Sequence, residues 1–144
     1  MGDIILTRVL VIQGRGMELR GTVDVEIFGP MTLPEYNDNI RQYASELGVD
    51  VEIFHSNDEA EVIAKIKSAD VDGALINPAG YTTGHPQLVE AIKGAGYPTL
   101  EVHMSNPASR GRISEVTPVC RGVIAGFGIT GYYLALKGVQ SLIT

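Results

Sequence analysis

Apolar runs alternate with amphipathic stretches along the chain. Leu6 to Gln13 is almost uniformly apolar and rich in β-branched residues, the pattern of a strand covered on both faces. Shorter runs of the same kind lie at Val49 to Phe54, Gly73 to Asn77, Leu100 to His103 and Val123 to Ala125. Helical periods fall between them. Thr32-Leu33-Pro34-Glu35 reads as a capping box opening a helix that runs to Leu47, where Gly48 can close it. Ser56-Asn57-Asp58-Glu59 reads as a second capping box, starting a helix to Ala69. Further helices are expected from Pro86 to Ala95 and from Thr130 to Leu142. Gly14 to Pro30 is glycine-rich with mixed charges and reads as a long loop, of the kind that often serves as a functional lid. Asn77-Pro78-Ala79-Gly80 ends the third strand in a turn.

Five strands alternating with helices predict an α/β fold with a parallel sheet between two helical layers. Right-handed crossovers restrict the topology, and the flavodoxin-like three-layer fold with strand order 2-1-3-4-5 is the expectation. The whole chain, 1–144, is read as one domain. In such sheets ligands bind outside the carboxyl ends of the strands. Gly14–Pro30, Asn77–His85 and His103–Arg112 should therefore meet there.

Composition narrows the function classes. The chain is 44% apolar and 19% charged, which suits a globular core rather than disorder. A net charge of −6 argues against nucleic acid as a partner, because phosphate binding needs basic patches. No apolar run reaches membrane-spanning length, and Met1-Gly2-Asp3-Ile4-Ile5 does not read as a signal peptide. The one cysteine, Cys120, forms no internal disulfide and suits a cytoplasmic setting. It reads as a small buried apolar residue rather than a nucleophile. His55, His85 and His103 lack metal-ligand spacing, so neither a metal nor a cofactor is expected.

The chemistry concentrates in Leu100-Glu101-Val102-His103-Met104-Ser105-Asn106. This strand delivers His103 to its carboxyl end, with Glu101 two residues back on the same face as an acid–base partner. Equally, His103 could be a strand-end histidine that Glu101 merely satisfies. Asn77 before Pro78 could contact a ligand or only shape the turn. Arg110 and Arg112 could clamp a carboxylate or be solvated loop charges. Glu18, Asp24 and Glu26 are the carboxylates of the long loop; each could be a base or part of an acidic solvated face. Gly14-Arg15-Gly16 fits neither a Walker loop nor a dinucleotide fingerprint, and no Gly-x-Ser-x-Gly elbow is present.

Several segments together resemble the type II dehydroquinases, the 3-dehydroquinate dehydratases. Ile76-Asn77-Pro78 with Tyr81-Thr82 is similar to that family's third-strand turn, and Glu101 to Asn106 to its fourth-strand signature. Ser56 to Glu59 resembles its second-helix start. Gly122-Val123-Ile124 with Gly126, Gly128, Gly131 and Tyr132 resembles its last strand and helix. The resemblance implies loss of water from a cyclic hydroxy-ketone carboxylate. In the family a loop Tyr, activated by a nearby Arg, removes the proton beside the ketone. A loop Asn helps hold the enolate, and the His supported by Glu protonates the departing hydroxyl. It implies His103 and Glu101 as catalytic groups. Asn77, Met104, Ser105, Arg110 and Arg112 would bind substrate, joined by Tyr81, Thr83, His85 and Glu90 around the following turn and helix. It also implies a trimer-based homododecamer without cofactor.

The first loop departs from the family. The enolate-side Asn falls on Gly16, the loop Arg on Val23 and the catalytic Tyr on Phe28. After Tyr81-Thr82 the family's His falls on Thr83, with His85 two residues on, and the stretch after Arg110 is slightly short. Phe has no ionisable proton and cannot act as a base. The expectation is therefore a lyase of this family acting on a small, cyclic, hydroxylated carboxylate, with little or no ordinary dehydroquinate dehydration. Should that reaction prove fast, Tyr81 is the first residue to consider as a substitute base. Two other classes stay open: a non-catalytic carboxylate-binding or assembly protein, and a hydrolase in which His103 activates water.

Overall fold

The computed structural model describes residues 6–143. The expectation about Met1 to Ile5 lies outside the described residues. Strands β1 (Thr7–Arg15), β2 (Val49–His55), β3 (Gly73–Ala79), β4 (Thr99–His103) and β5 (Gly122–Ala125) form one sheet in the order β2-β1-β3-β4-β5. Every pairing is parallel. The predicted architecture and strand order are thus those of the protein.

Alternation along the strands builds two cores. Val9 and Val11 of β1, with Leu75, Leu100 and Val102, face helices α2 (Leu33–Leu47) and α5 (Thr130–Ile143), which contribute Tyr36, Ile40, Tyr132, Leu136 and Val139. Leu10, Ile12, Ala74 and Ile76 point the other way, against Val62 and Ile66 of α3 (Glu59–Ser68) and Leu88 and Ile92 of α4 (Pro86–Gly94). All of these positions are buried. That is why β1 reads as continuously apolar: both of its faces are covered. Among the described residues, no helix is long and apolar enough to cross a membrane.

The Thr32 capping box forms as expected. Glu35 N–H donates to Thr32 Oγ1 at 3.4 Å, and Thr32 N–H donates to Glu35 Oε1 at 3.2 Å. Gly48, at φ 68°, closes the helix. The second capping box does not form around Ser56. Asp58 is the N-cap and accepts from Ala60 N–H at 3.0 Å. Ser56 Oγ instead accepts from Asp58 N–H and donates to Glu61 at 2.9 Å, which starts the helix two residues later. Two strand ends also run further than predicted. β1 continues to Arg15 and β3 to Ala79, because Arg15 and Ala79 still pair after Gln13 and Asn77. The long loop holds a short helix, α1 (Val25–Phe28), rather than being wholly irregular.

Gly14 makes this crossing possible. A Cβ there would stand 2.0 Å from the Pro78 carbonyl oxygen. Only glycine lets β1 pass the Asn77-Pro78 segment so closely, and that segment forms the floor of the site.

Candidate active site

The carboxyl ends of β1, β3 and β4 open into a cavity of about 280 Å³. That is just below the usual range for small-molecule sites, roughly 300–1,000 Å³. Asn77, Ala79 and Thr82 come from the end of β3, and His103, Met104 and Ser105 from the end of β4. The first loop supplies Arg15, Gly16, Arg20, Val23, Asp24 and Phe28. The segment after β4 supplies Arg110, Arg112, Ile113 and Ser114. The three predicted segments do meet. Asp24 and Ala79, the two non-glycine residues with positive φ among those described, both line the cavity. Backbone strain of this kind persists where surrounding structure holds it, and it clusters at functional sites.

Glu101 is fully buried and His103 nearly so. His103 Nε2 and Glu101 Oε2 are 2.6 Å apart. Ser114 Oγ donates to the same carboxylate oxygen at 2.7 Å, and Thr117 Oγ1 donates to the other. Burial pushes the Glu101 carboxyl up, but the hydrogen bonds from His103, Thr117 and Ser114 outweigh it and hold it below the ordinary carboxylate range. An ionised Glu101 fixes the imidazole with Nε2 inward. Nδ1 is then the nitrogen available to a ligand.

Asn77 is positioned by a buried polar chain. Its Nδ2 donates to Tyr132 Oη at 2.9 Å, Tyr132 Oη donates to Gln13 Oε1 at 2.7 Å, and Gln13 Nε2 donates to Asn37 at 3.3 Å. One amide hydrogen of Asn77 is thereby used, and the second remains for a ligand. Burial of Tyr132 pushes its phenol far above the usual value, so it stays neutral and orients rather than titrates. Sequence reasoning missed Gln13 as a partner of this chain. Its signal was a polar residue ending an otherwise apolar strand. Opposite Asn77, Ser105 Oγ accepts from Arg110 Nη1 at 3.0 Å.

Asn57 organises the start of the loop. Its Oδ1 accepts from Gly16 N–H at 2.9 Å, its Nδ2 donates to Glu18 at 2.8 Å, and its carbonyl accepts from the Arg15 guanidinium. Glu18 also reaches His55 Nε2 at 3.0 Å, so it points away from the cavity. Of the three loop carboxylates only Asp24 lines the cavity. Gly16, Val23 and Phe28, where the resemblance locates the family's loop residues, all line it as well. The loop thus brings an apolar ring, not a phenol, to the wall.

Four predicted substrate contacts do not reach this cavity, and their placement corrects the expectation. Tyr81 is fully buried, and its hydroxyl donates to the Ser56 carbonyl at 2.9 Å. Burial raises its phenol, so it is unsuited to stand in as base. His85 stacks edge-on against Tyr81 and pairs through Nδ1 with Glu59. Thr83 is exposed on the turn, and Glu90 is exposed on α4, beside Lys67 on the far side. After the Asn-Pro turn Thr82 stays on the wall, while Tyr81, Thr83 and His85 lie off it. Cys120 packs at the edge of the second core, where burial, with Glu101 adding to it, pushes its thiol to about 12. At neutral pH it is a thiol and a poor nucleophile.

Comparison with known proteins agrees with this geometry. The family model for dehydroquinase class II matches residues 7–140. The 3-dehydroquinate dehydratase of Desulforudis audaxviator is 39% identical over 142 residues, covering 95% of each chain. That of Campylobacter jejuni subsp. jejuni is 38% identical over 137 residues, 92% of this chain and 86% of its own. The type II dehydroquinase of Butyrivibrio crossotus superposes with a TM-score of 0.89 at 30% identity, covering 94% of this chain and 98% of the other. That of Propionibacterium acnes gives 0.88 at 30%, covering 96% and 99%. Matched along nearly its whole length in sequence and in fold, this chain belongs to the class II dehydroquinase family.

Proposed function

We propose that this chain is a hydro-lyase that removes water from a small, cyclic, hydroxylated keto acid, with His103 as proton donor to the departing hydroxyl. The Glu101–His103 pair carries the reading, because it opens into the same cavity as Asn77 and Ser105. Asn77, Ser105, Arg110 and the nearby backbone N–H groups hold the substrate carboxylate. Arg112 and Met104 complete that wall. The elimination begins with transfer of a proton from the carbon beside the ketone to a base. The electron pair of the resulting enolate expels the β-hydroxyl, which takes its proton from His103 and leaves as water, forming the ring double bond. Asp24, the loop carboxylate that lines the cavity, is the group we assign to accept the carbon-bound proton. Carboxylates carry out this type of abstraction in other enzymes.

The names of the relatives make 3-dehydroquinate the first substrate to test, and the extent of the likeness favours it. The loop chemistry weighs against fast turnover. Phe28 removes a general base, usually worth about 10²–10⁴-fold. Gly16 removes an oxyanion-side donor worth on the order of 10²–10³ more. We expect 3-dehydroquinate to be dehydrated slowly, and a related cyclic hydroxy acid to be preferred. Purified protein is assayed by the ultraviolet absorbance of the conjugated product, with wild type, His103→Ala, Asp24→Asn and Phe28→Tyr. Turnover within about tenfold of a typical enzyme's ~10 s⁻¹ would establish ordinary dehydroquinate dehydration and end the altered-substrate reading. On whichever substrate is turned over, unchanged kcat in His103→Ala removes His103 from the mechanism. Phe28→Tyr alone should not restore dehydroquinate turnover, since Gly16 and Val23 remain.

A trimer-based dodecamer is part of the proposal. It is supported by apolar side chains exposed on and just after the edge strand β5: Val123 and Phe127 are 48% and 61% exposed. Light scattering showing a monomer at micromolar concentration would overturn it.

A further inference from the structure

The cavity carries more positive charge than one carboxylate needs. Arg15, Arg20, Arg110 and Arg112 all line it, in a chain whose net charge is −6. Asp24 is the one acidic residue on the wall. Among the described residues, none of these four guanidinium groups has a carboxylate within 4.0 Å. Arg110 donates through Nη1 to Ser105 at the carboxylate end, keeping its other N–H groups, and Arg15 donates to the Asn57 carbonyl. Arg20 is different. Its Nε is buried with no hydrogen-bond partner. Burial also weakens its hold on its proton. A buried unpartnered donor on a permanent cation is costly unless an anion completes it.

Phe28 supplies the support for such a contact. The Arg20 guanidinium carbon lies 3.6 Å from the Phe28 ring centroid, a stacked cation–π arrangement. Stacking uses the face of the guanidinium, and with Nε enclosed its terminal N–H groups are the ones left to meet a ligand in the cavity. Arg110 approaches the same ring at 5.9 Å, which places Phe28 between the carboxylate end of the cavity and Arg20. The ring that stands in place of the family's phenol thus lies as a platform against Arg20.

We propose that the natural ligand carries two anionic groups on one small ring: a carboxylate at Asn77, Ser105 and Arg110, and a second carboxylate or phosphate gripped by Arg20 over Phe28. The proposal rests on the carboxylate half of the proposed function and names the substrate class of that same site. It leaves a substrate with one anionic group under-bound at the Arg20 end.

Calorimetric titration with benzoate, isophthalate and phosphonobenzoate tests it, using wild type, Arg20→Met, Arg20→Lys and Ser105→Ala. At low salt the two dianions should bind wild type at least about tenfold more tightly than benzoate. Arg20→Met keeps an apolar stem over Phe28 and should bring both dianions down to the benzoate value while benzoate itself hardly changes. Arg20→Lys should keep part of the gain, guarding against a variant that merely loosens the loop. A larger gain for phosphonobenzoate than for isophthalate assigns the second group as phosphate-like, and the reverse order as a carboxylate. Ser105→Ala should weaken all three probes alike. Benzoate binding that depends on Ser105, with dianions no tighter, overturns the second-anion proposal and leaves the proposed function standing. Dianion binding that depends on Arg20 but not on Ser105 supports the second subsite and overturns the carboxylate assignment. No binding of any probe at millimolar concentration overturns both.

Discussion

Replacing Glu101 by Gln tests the innermost part of the site. Glu101 is fully buried and accepts from His103, Ser114 and Thr117. Hydrogen bonds to a charged acceptor contribute about 1.5–3 kcal/mol each, and neutral ones about 1 kcal/mol. Gln keeps one acceptor oxygen and turns the other into an NH₂ donor facing donors. Weakening three bonds and opposing one of them costs about 3–5 kcal/mol. Removing a buried charge returns a few kcal/mol of desolvation, so the net loss near pH 7 is about 2 kcal/mol. For a chain of this size that is roughly a 6–8 °C fall in Tm. The pH dependence has a definite sign. The folded-state pKa of Glu101 lies below its unfolded value, so its contribution is present above the unfolded pKa and fades as pH falls through the folded one. The gap between wild type and Glu101→Gln should therefore be widest at neutral pH and shrink in acid. Thermal melts of both proteins at one protein concentration, from neutral pH to about pH 3, read this directly. A gap that stays constant or widens in acid, or a Gln variant more stable at neutral pH, would refute the assignment of Glu101 as a buried, ionised support for His103.

Other perturbations follow from the same geometry. Gly14→Ala drives a Cβ to 2.0 Å from the Pro78 carbonyl, and backbone cannot yield as a side chain can. It should destabilise by about 3 kcal/mol or more and disturb Asn77, which urea denaturation and ligand titration measure; a neutral variant would show the crossing to be looser than described. Tyr132→Phe removes the hydroxyl joining Asn77 to Gln13 and leaves both side chains short of a partner inside the fold. A loss of about 2–4 kcal/mol is expected with weaker binding of carboxylates, and an unaltered Tm would remove the chain from the account of the site. Cys120, with its thiol raised to about 12, should react with thiol reagents in the folded protein far more slowly than free cysteine. Labelling at the free-thiol rate near neutral pH would show that the β4–β5 edge opens readily.

What the sequence disclosed divides along physical lines. Strand order and both helical layers were legible, because period-two and period-3.6 patterns report burial directly. The Glu101–His103 pairing was legible too. A strand ties Glu101 to His103 by backbone geometry alone, since residues two apart share a face. Residues whose position depends on chain reversal were not legible. After Pro78 the backbone turns through Ala79 at positive φ; Thr82 stays on the cavity wall, but Tyr81 turns toward Ser56 and His85 toward Glu59. Spacing along the chain could not reveal that divergence. The Ser56 capping motif failed for a related reason. Its hydroxyl had a nearer competitor in Asp58 N–H, and local side-chain-to-backbone bonds compete with one another. Arg20 was invisible as a site residue because an arginine in a mixed-charge loop is usually solvated. Its role appears once α1 folds and sets Phe28 beneath it. The three loop departures at Gly16, Val23 and Phe28 then acquire a common sense. They stand on one wall where the resemblance implies a donor, a cation and a base, and Arg20 adds a cation to that same wall over the Phe28 ring. Arg20 is only partly buried, but its Nε is enclosed without a partner, which loss of side chains alone does not account for. On the proposed reading, this wall serves a ligand with a second anionic group at Arg20.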